Sequence, residues 1–93
     1  MATAVHGDFE WDTDKAVANL AKHGVSFEEA ATVLVSSDVL EVADSVDPSR
    51  IVTVGFSAAA RVLLVVSTDV STRTRIISAR RATSEERRAF GAR

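Results

Sequence analysis

Between Arg61 and Ser67 the chain reads RVLLVVS, and the run from Val62 to Val66 has no polar alternate position. A half-exposed strand alternates apolar and polar side chains, whereas a strand apolar on both faces belongs in the middle of a sheet. The other elements have to supply its neighbours. Before it, Val39 to Ala43 reads as a strand, Asp44 to Ser49 as a turn around the single proline, Pro48, and Arg50 to Phe56 as an alternating strand. In the latter, Val52, Val54 and Phe56 share one face, and Ile51, Thr53 and Gly55 the other. Ser57 to Ala60 is a hairpin connection. Further on, Asp69 to Thr72 turns the chain and Arg73 to Arg80 (RTRIISAR) is the last strand. Strict alternation places Arg73, Arg75, Ile77, Ala79 and Arg81 on one side, and Thr74, Ile76, Ser78 and Arg80 on the other. Thr83, with Glu86 three residues on, forms a capping box for a closing helix that runs to Gly91.

The first third reads differently. In FEWDTDKAVANLAKHGVSFEEAATVL, Phe9 to Trp11 is a short strand and Asp12 a helix N-cap, since its carboxylate can accept from an unpaired first-turn N–H. That helix lasts to Lys22 or His23, and Gly24 suits the left-handed residue that closes it. Val17, Leu20 and Ala21 fall at i, i+3 and i+4 and are expected to face the core. Lys15, Asn19 and Lys22 form a wet, partly basic side. Ser26 and Glu29 predict a capping box for a second helix, with Val25 and Ala30 as a staple and Phe27, Ala30, Ala31 and Leu34 as its buried stripe. The order β-α-α-β-β-β-β-α with short late connections predicts an α+β fold, an antiparallel meander with helices packed on one face.

A chain of 93 residues makes one domain, 1–93, near the small end of what a single core stabilises unaided. It has no cysteine, which excludes disulfides, thiolate metal sites and cysteine nucleophiles. The N-terminal residues lack a basic flank with an apolar run of signal-peptide length, and no apolar run is long enough to span a bilayer, so a cytoplasmic protein is expected. The net charge of -2 hides a split: residues 1–50 carry a balance of -7 and residues 51–93 a balance of +5, all of the latter's cations being arginines. Either the halves pair internally, or the arginines meet a polyanion or an acidic partner.

W-D-x-x-K at Trp11 to Lys15, N-L-x-K-H-G-V-S-F-E-E-A from Asn19 and R-I-I-S-A-R-x-A-T-x-x-E-R from Arg75 together closely resemble the BrnT family of bacterial toxins, over nearly the whole chain. The resemblance implies a RelE-like fold, ribonuclease activity that blocks translation, and neutralisation by a cognate BrnA-like antitoxin in a hetero-oligomer. Operator DNA would be bound only through that antitoxin. Where many relatives carry a tyrosine and an acid after the central strand, this chain has Ser67, Thr68 and Asp69, and it contains no tyrosine.

Metal-free RNA cleavage needs a base near the 2′-hydroxyl, an acid near the 5′-oxygen and cations around the phosphorane. Of the two histidines, His6 lies in an N-terminus expected to be mobile. His23 ends the first helix, where the C-terminal dipole favours a cation by roughly 0.3–1 kcal/mol. His23 and Lys22, with Arg75 and Arg80, are the catalytic candidates. Lys15, Arg61 and Arg73 are candidates for substrate contact, and Arg50 and Arg81 for antitoxin contact, with Arg73 open to either role. Lys22 and His23 could instead merely complement the helix dipole, and Lys15 could be a solvated helix lysine. Trp11 reads as a core anchor rather than a base-stacking platform. Neither a cofactor nor a metal is expected, because the histidines are far apart and no helical His/Glu pair brackets a site. A non-catalytic module that binds an acidic partner or nucleic acid is the alternative class.

Overall fold

The computed structural model describes residues 2–93. Two strands, β1 (Thr3–His6) and β2 (Phe9–Asp12), precede helices α1 (Thr13–His23) and α2 (Phe27–Leu34). Strands β3 (Val39–Ala43), β4 (Arg50–Phe56), β5 (Val62–Val70) and β6 (Arg73–Arg81) follow, and α3 (Ser84–Gly91) ends the chain. The sheet order is β1-β2-β6-β5-β4-β3. The α+β class and the late antiparallel meander match the sequence reading. β2 joins the meander parallel to β6, pairing Phe9 with Thr74 and Glu10 with Arg75.

β5 is central, and both of its faces are covered. Leu63 and Val65 are fully buried with Trp11, Phe27, Ala30, Val33, Ile76 and Ala79 under α1 and α2. Val62 and Leu64 pack with Val54, Ala82 and Phe90 beneath α3. The expectation of helices on one face therefore holds for α1 and α2 only. α3 takes the other face because β5 is apolar there too, and the Phe56 and Phe90 rings meet edge to face at 5.6 Å. Thr83 and Glu86 complete the expected capping box at its start.

Three further corrections have physical causes. Thr3–His6 is a strand and not a mobile end: it pairs along all of β2, and His6 stacks at 5.7 Å on Trp11. β5 runs three residues past Ser67, so the turn narrows to Ser71 and Thr72, with Ser71 at φ 57. Finally, β6 carries a bulge. Val66 pairs with Ser78 but Ser67 pairs with Ile76, leaving Ile77 without a partner on β5. The extra residue resets the alternation. Arg80 thereby joins Arg73, Arg75 and Ser78 on the α3 side, while Ile76 and Ala79 both enter the core under α1 and α2.

Gly55 sits where β4 passes β3 and α2. A Cβ there would meet Val39 Cγ1 at 2.9 Å and Val33 Cγ1 at 3.4 Å, so the strand approaches its neighbours closely because that side chain is absent.

Leu63→Ala is expected to cost about 2–5 kcal/mol through the cavity it leaves. Leu64→Ala, on the less enclosed α3 side, should cost less. Urea unfolding of both variants against the parent checks the order.

Candidate active site

The side that α1 turns inward is not the one its apolar spacing suggests. Val17 and Leu20 are 71% and 51% exposed, and Asn19 is the buried residue. Its amide donates to Ala79 O at 2.8 Å and to Val25 O at 2.9 Å, and accepts from Ala79 N at 3.2 Å. The helix therefore runs along the edge of β6 beyond the short β2 pairing. An aliphatic face would leave Ala79's peptide groups unpaired there, and a carboxamide satisfies both of them. Asn19 carried a readable signal only as part of the N-L-x-K-H-G segment, and periodicity placed it on the wet side.

This placement opens a groove of about 250 Å³ lined by Lys15, Ala18, Asn19, Lys22, His23, Ile77 and Ser78. It unites three of the sequence candidates. Asp12 starts the helix by accepting from Lys15 N at 3.1 Å, and Gly24 ends it at φ 68, donating to Leu20 O. The cap and the left-handed stop fix Lys15 near one end and His23 at the other. No acidic residue lines the groove, and Lys15, Lys22 and His23 take part in no ion pair among the described residues.

The arginines are placed otherwise. Arg75 bonds Glu10 at 2.5 Å across β6 and β2. Arg80 grips Glu86 with both terminal nitrogens, at 2.8 and 2.9 Å, so it is not a free strand-end cation. Arg61 binds Glu29 through Nε at 3.0 Å and Nη2 at 2.5 Å, and also donates to Gly24 O. Arg50 sits 3.4 Å from Asp47. Arg73 and Arg81 are exposed and in no ion pair among the described residues. Much of the charge split is thus paired across the fold, through Glu10 with Arg75, Glu29 with Arg61 and Asp38 with Arg93.

Two of these pairs reshape the expected caps and titrations. Ser26 accepts from Glu29 N, but Glu29's carboxylate turns to Arg61 and to the Ser57 hydroxyl, so only half of the second capping box forms. Arg61's hydrogen bonds hold Glu29 below the usual carboxylate range against the effect of its burial. Glu86 is lowered to about 2, first by Arg80's hydrogen bonds, with Thr83 adding to it. Trp11, 4% exposed and edge to face with Phe27, is a core anchor as expected.

Residues 11–86 match the family described as ribonuclease toxin, BrnT, of type II toxin-antitoxin system. The chain belongs to the BrnT family. The crystal structure of the Brucella abortus ribonuclease toxin BrnT shares the fold, with a TM-score of 0.65 and 23% identity over 80% of this chain and 94% of that one. No curated protein matches the sequence. As a BrnT toxin of a type II system, the protein has an antitoxin as its counterpart. No helix among the described residues is long and apolar enough to cross a membrane.

Glu86's carboxyl is depressed in the folded chain, so its contribution is complete above its ordinary 4.5 and fades as pH falls toward about 2. Glu86→Gln should lower the melting temperature at neutral pH and flatten the parent's loss of stability across that acid window. Thermal unfolding followed by circular dichroism at several pH values checks this.

Proposed function

We propose that the chain is a metal-independent endoribonuclease that inhibits translation, with the α1–β6 groove as its active site. The observation that carries this is the meeting of Lys15, Lys22 and His23 in one groove that has no carboxylate lining. Uncompensated cations attract the RNA backbone, and an imidazole beside them can move a proton at neutral pH. In the proposed reaction the 2′-oxygen attacks phosphorus as a base removes its proton. The P–O5′ bond then breaks as His23 donates a proton to the 5′-oxygen, leaving a cyclic phosphate and a 5′-hydroxyl. Lys15 and Lys22 offset the phosphorane's charge, and Lys22 is the next candidate for proton transfer. The chain's own cations thus supply the role that a metal has in other nucleases.

Arg80 stands two residues beyond Ser78 on the same face of β6. It can steady phosphate only by exchanging Glu86, and Arg75 would likewise have to leave Glu10. Arg73, free of such a partner, is the better substrate contact, while Arg61 serves the α1–α2 turn. For the cognate, BrnA-like antitoxin, exposed Arg81 is the proposed contact, and Arg50 is partly committed to Asp47. The internal pairing of Arg61, Arg75 and Arg80 also favours a second reading, a toxin fold that binds RNA or an antitoxin without cleaving.

His23→Ala should lower RNA cleavage by about 10²-fold or more with little change in melting temperature, since a half-buried helix-end side chain leaves no core cavity. Parental cleavage by a folded His23→Ala would remove the acid assignment, and absence of cleavage by the parent would leave the binding reading. A second expectation is that cleavage by purified protein survives EDTA. Loss with EDTA and recovery with magnesium would overturn metal independence.

A further inference from the structure

The face of the sheet that carries α3 is only partly covered. Its first row, Leu40, Val54, Leu64 and Arg80, pairs straight across β3, β4, β5 and β6, and the three apolar members pack with Ala82 and Phe90. The next row, two residues along, is Val42, Val52, Val66 and Ser78. Residues directly opposite one another on neighbouring strands share a face, so the three valines form an apolar stripe across the sheet. They belong to neither packed cluster, and Val42 is 51% exposed. α3 has eight residues, about 12 Å of helix, whereas the nine residues of β5 run for about 30 Å. The helix shelters one end of the face and leaves the valines partly open.

Charge is segregated around this stripe. β3 to β6 contain two carboxylates, Glu41 and Asp69, and both line a recess on the opposite face. The same strands contain five arginines, of which Arg50, Arg73, Arg75 and Arg80 stand on the face of the stripe. The carboxylates that meet three of them, Asp47, Glu10 and Glu86, come from outside these strands. Arg73 is in no ion pair among the described residues, and the Arg50 pair is a loose one, 3.4 Å between side chains that are both more than two-fifths exposed. The meander thus presents an apolar centre inside an arginine rim, with no strand carboxylate of its own beside it.

That chemistry decides between occupants. A second copy laid face to face would set one arginine rim against another, because an isologous contact repeats the same patch on both sides. RNA would find one unpaired cation, Arg73, but valines give its bases no aromatic surface to stack on. A protein segment with aliphatic side chains and neighbouring carboxylates satisfies both features, burying the stripe and making charge-assisted hydrogen bonds with the arginines. A toxin of this family has an antitoxin as its counterpart. We propose that the Val42, Val52 and Val66 stripe is a docking surface for an apolar, acidic segment of that antitoxin, with Arg73 and Arg50 meeting its carboxylates. The proposal rests on the antitoxin binding the chain directly and not on the ribonuclease reading.

The test is a titration of the full chain, labelled at its valine methyl groups, with the purified cognate antitoxin. Shifts are expected at Val42, Val52 and Val66, while Val17 and Val35, exposed on α1 and at the end of α2, should stay unchanged. The triple variant Val42→Thr, Val52→Thr, Val66→Thr keeps side-chain shape and strand preference while removing the apolar stripe, and should weaken binding by about tenfold or more. Arg73→Glu, at an exposed position, should weaken it comparably and reports the charge contact if the triple variant fails to fold. The double variant Val17→Thr, Val35→Thr should bind as the parent does. A complex that shifts Val17 and Val35 instead, or that forms equally well with the triple variant and with Arg73→Glu, would overturn the proposal alone. Absence of any complex with the parent would overturn it together with the antitoxin reading. Shifts of the stripe's valines by a short single-stranded RNA and not by the antitoxin would assign the surface to RNA and overturn it as well.

Discussion

The carboxamide of Asn19 joins a helix to the edge of a strand, and the arrangement of the site depends on that join. β2 is too short to cover β6 beyond Arg75, so the peptide groups of Ala79 would face a helix with nothing to pair with. An unpaired buried peptide group costs about 1–3 kcal/mol. Asn19 bonds both groups and reaches Val25 O as well, tying the strand edge to the turn between the helices. With Asn19 turned inward, the helical period leaves Val17 and Leu20 in solvent and sets Lys15, Lys22 and His23 along the groove.

The ion pairs act on the same region from its flanks. Arg61 links Glu29 of α2 to Gly24 O, so the left-handed residue that ends α1 is held from the sheet side. Arg80 and Glu86 secure α3 against β6 on the other face. These pairs are partly exposed, which limits what each contributes to stability. Their effect on charge is larger. Once the carboxylates have claimed Arg61, Arg75 and Arg80, the lysines and arginines of α1 and β6 left without an ion pair among the described residues are Lys15, Lys22, Arg73 and Arg81. Of the six arginines singled out in the sequence, Arg73 and Arg81 are the two without a carboxylate partner among the described residues.

Much of the fold was legible because its signals are local. Caps at Asp12, Ser26 and Thr83, the stop at Gly24, and the two-sided apolar run of β5 all depend on neighbours within a few residues. What was not legible depends on contacts far along the chain. Whether Glu29 would cap its own helix or bind Arg61 is decided 32 residues away. Asn19 could be assigned to solvent on hydropathy alone, since nothing near it shows that a strand edge lies against α1. β1 lacked a strong pattern, with Val5 half exposed and His6 laid on Trp11, and it is held by its pairing with β2.

The bulge at Ile77 shows most directly how one residue can change a functional reading. Alternation along RTRIISARR puts Arg80 opposite Arg73 and Arg75, and a strand without a bulge would have kept it there. One unpaired residue reverses the remainder of the strand. Arg80 then comes to the α3 face, where Glu86 can reach it, and Ala79 turns into the core beside Val65 and Ile76. Ile77 itself lines the α1 groove. The same irregularity that takes Arg80 toward α3 therefore shapes the groove that Lys15, Lys22 and His23 line. Strand register links the occupied arginine on one face to the open basic groove at the strand's edge.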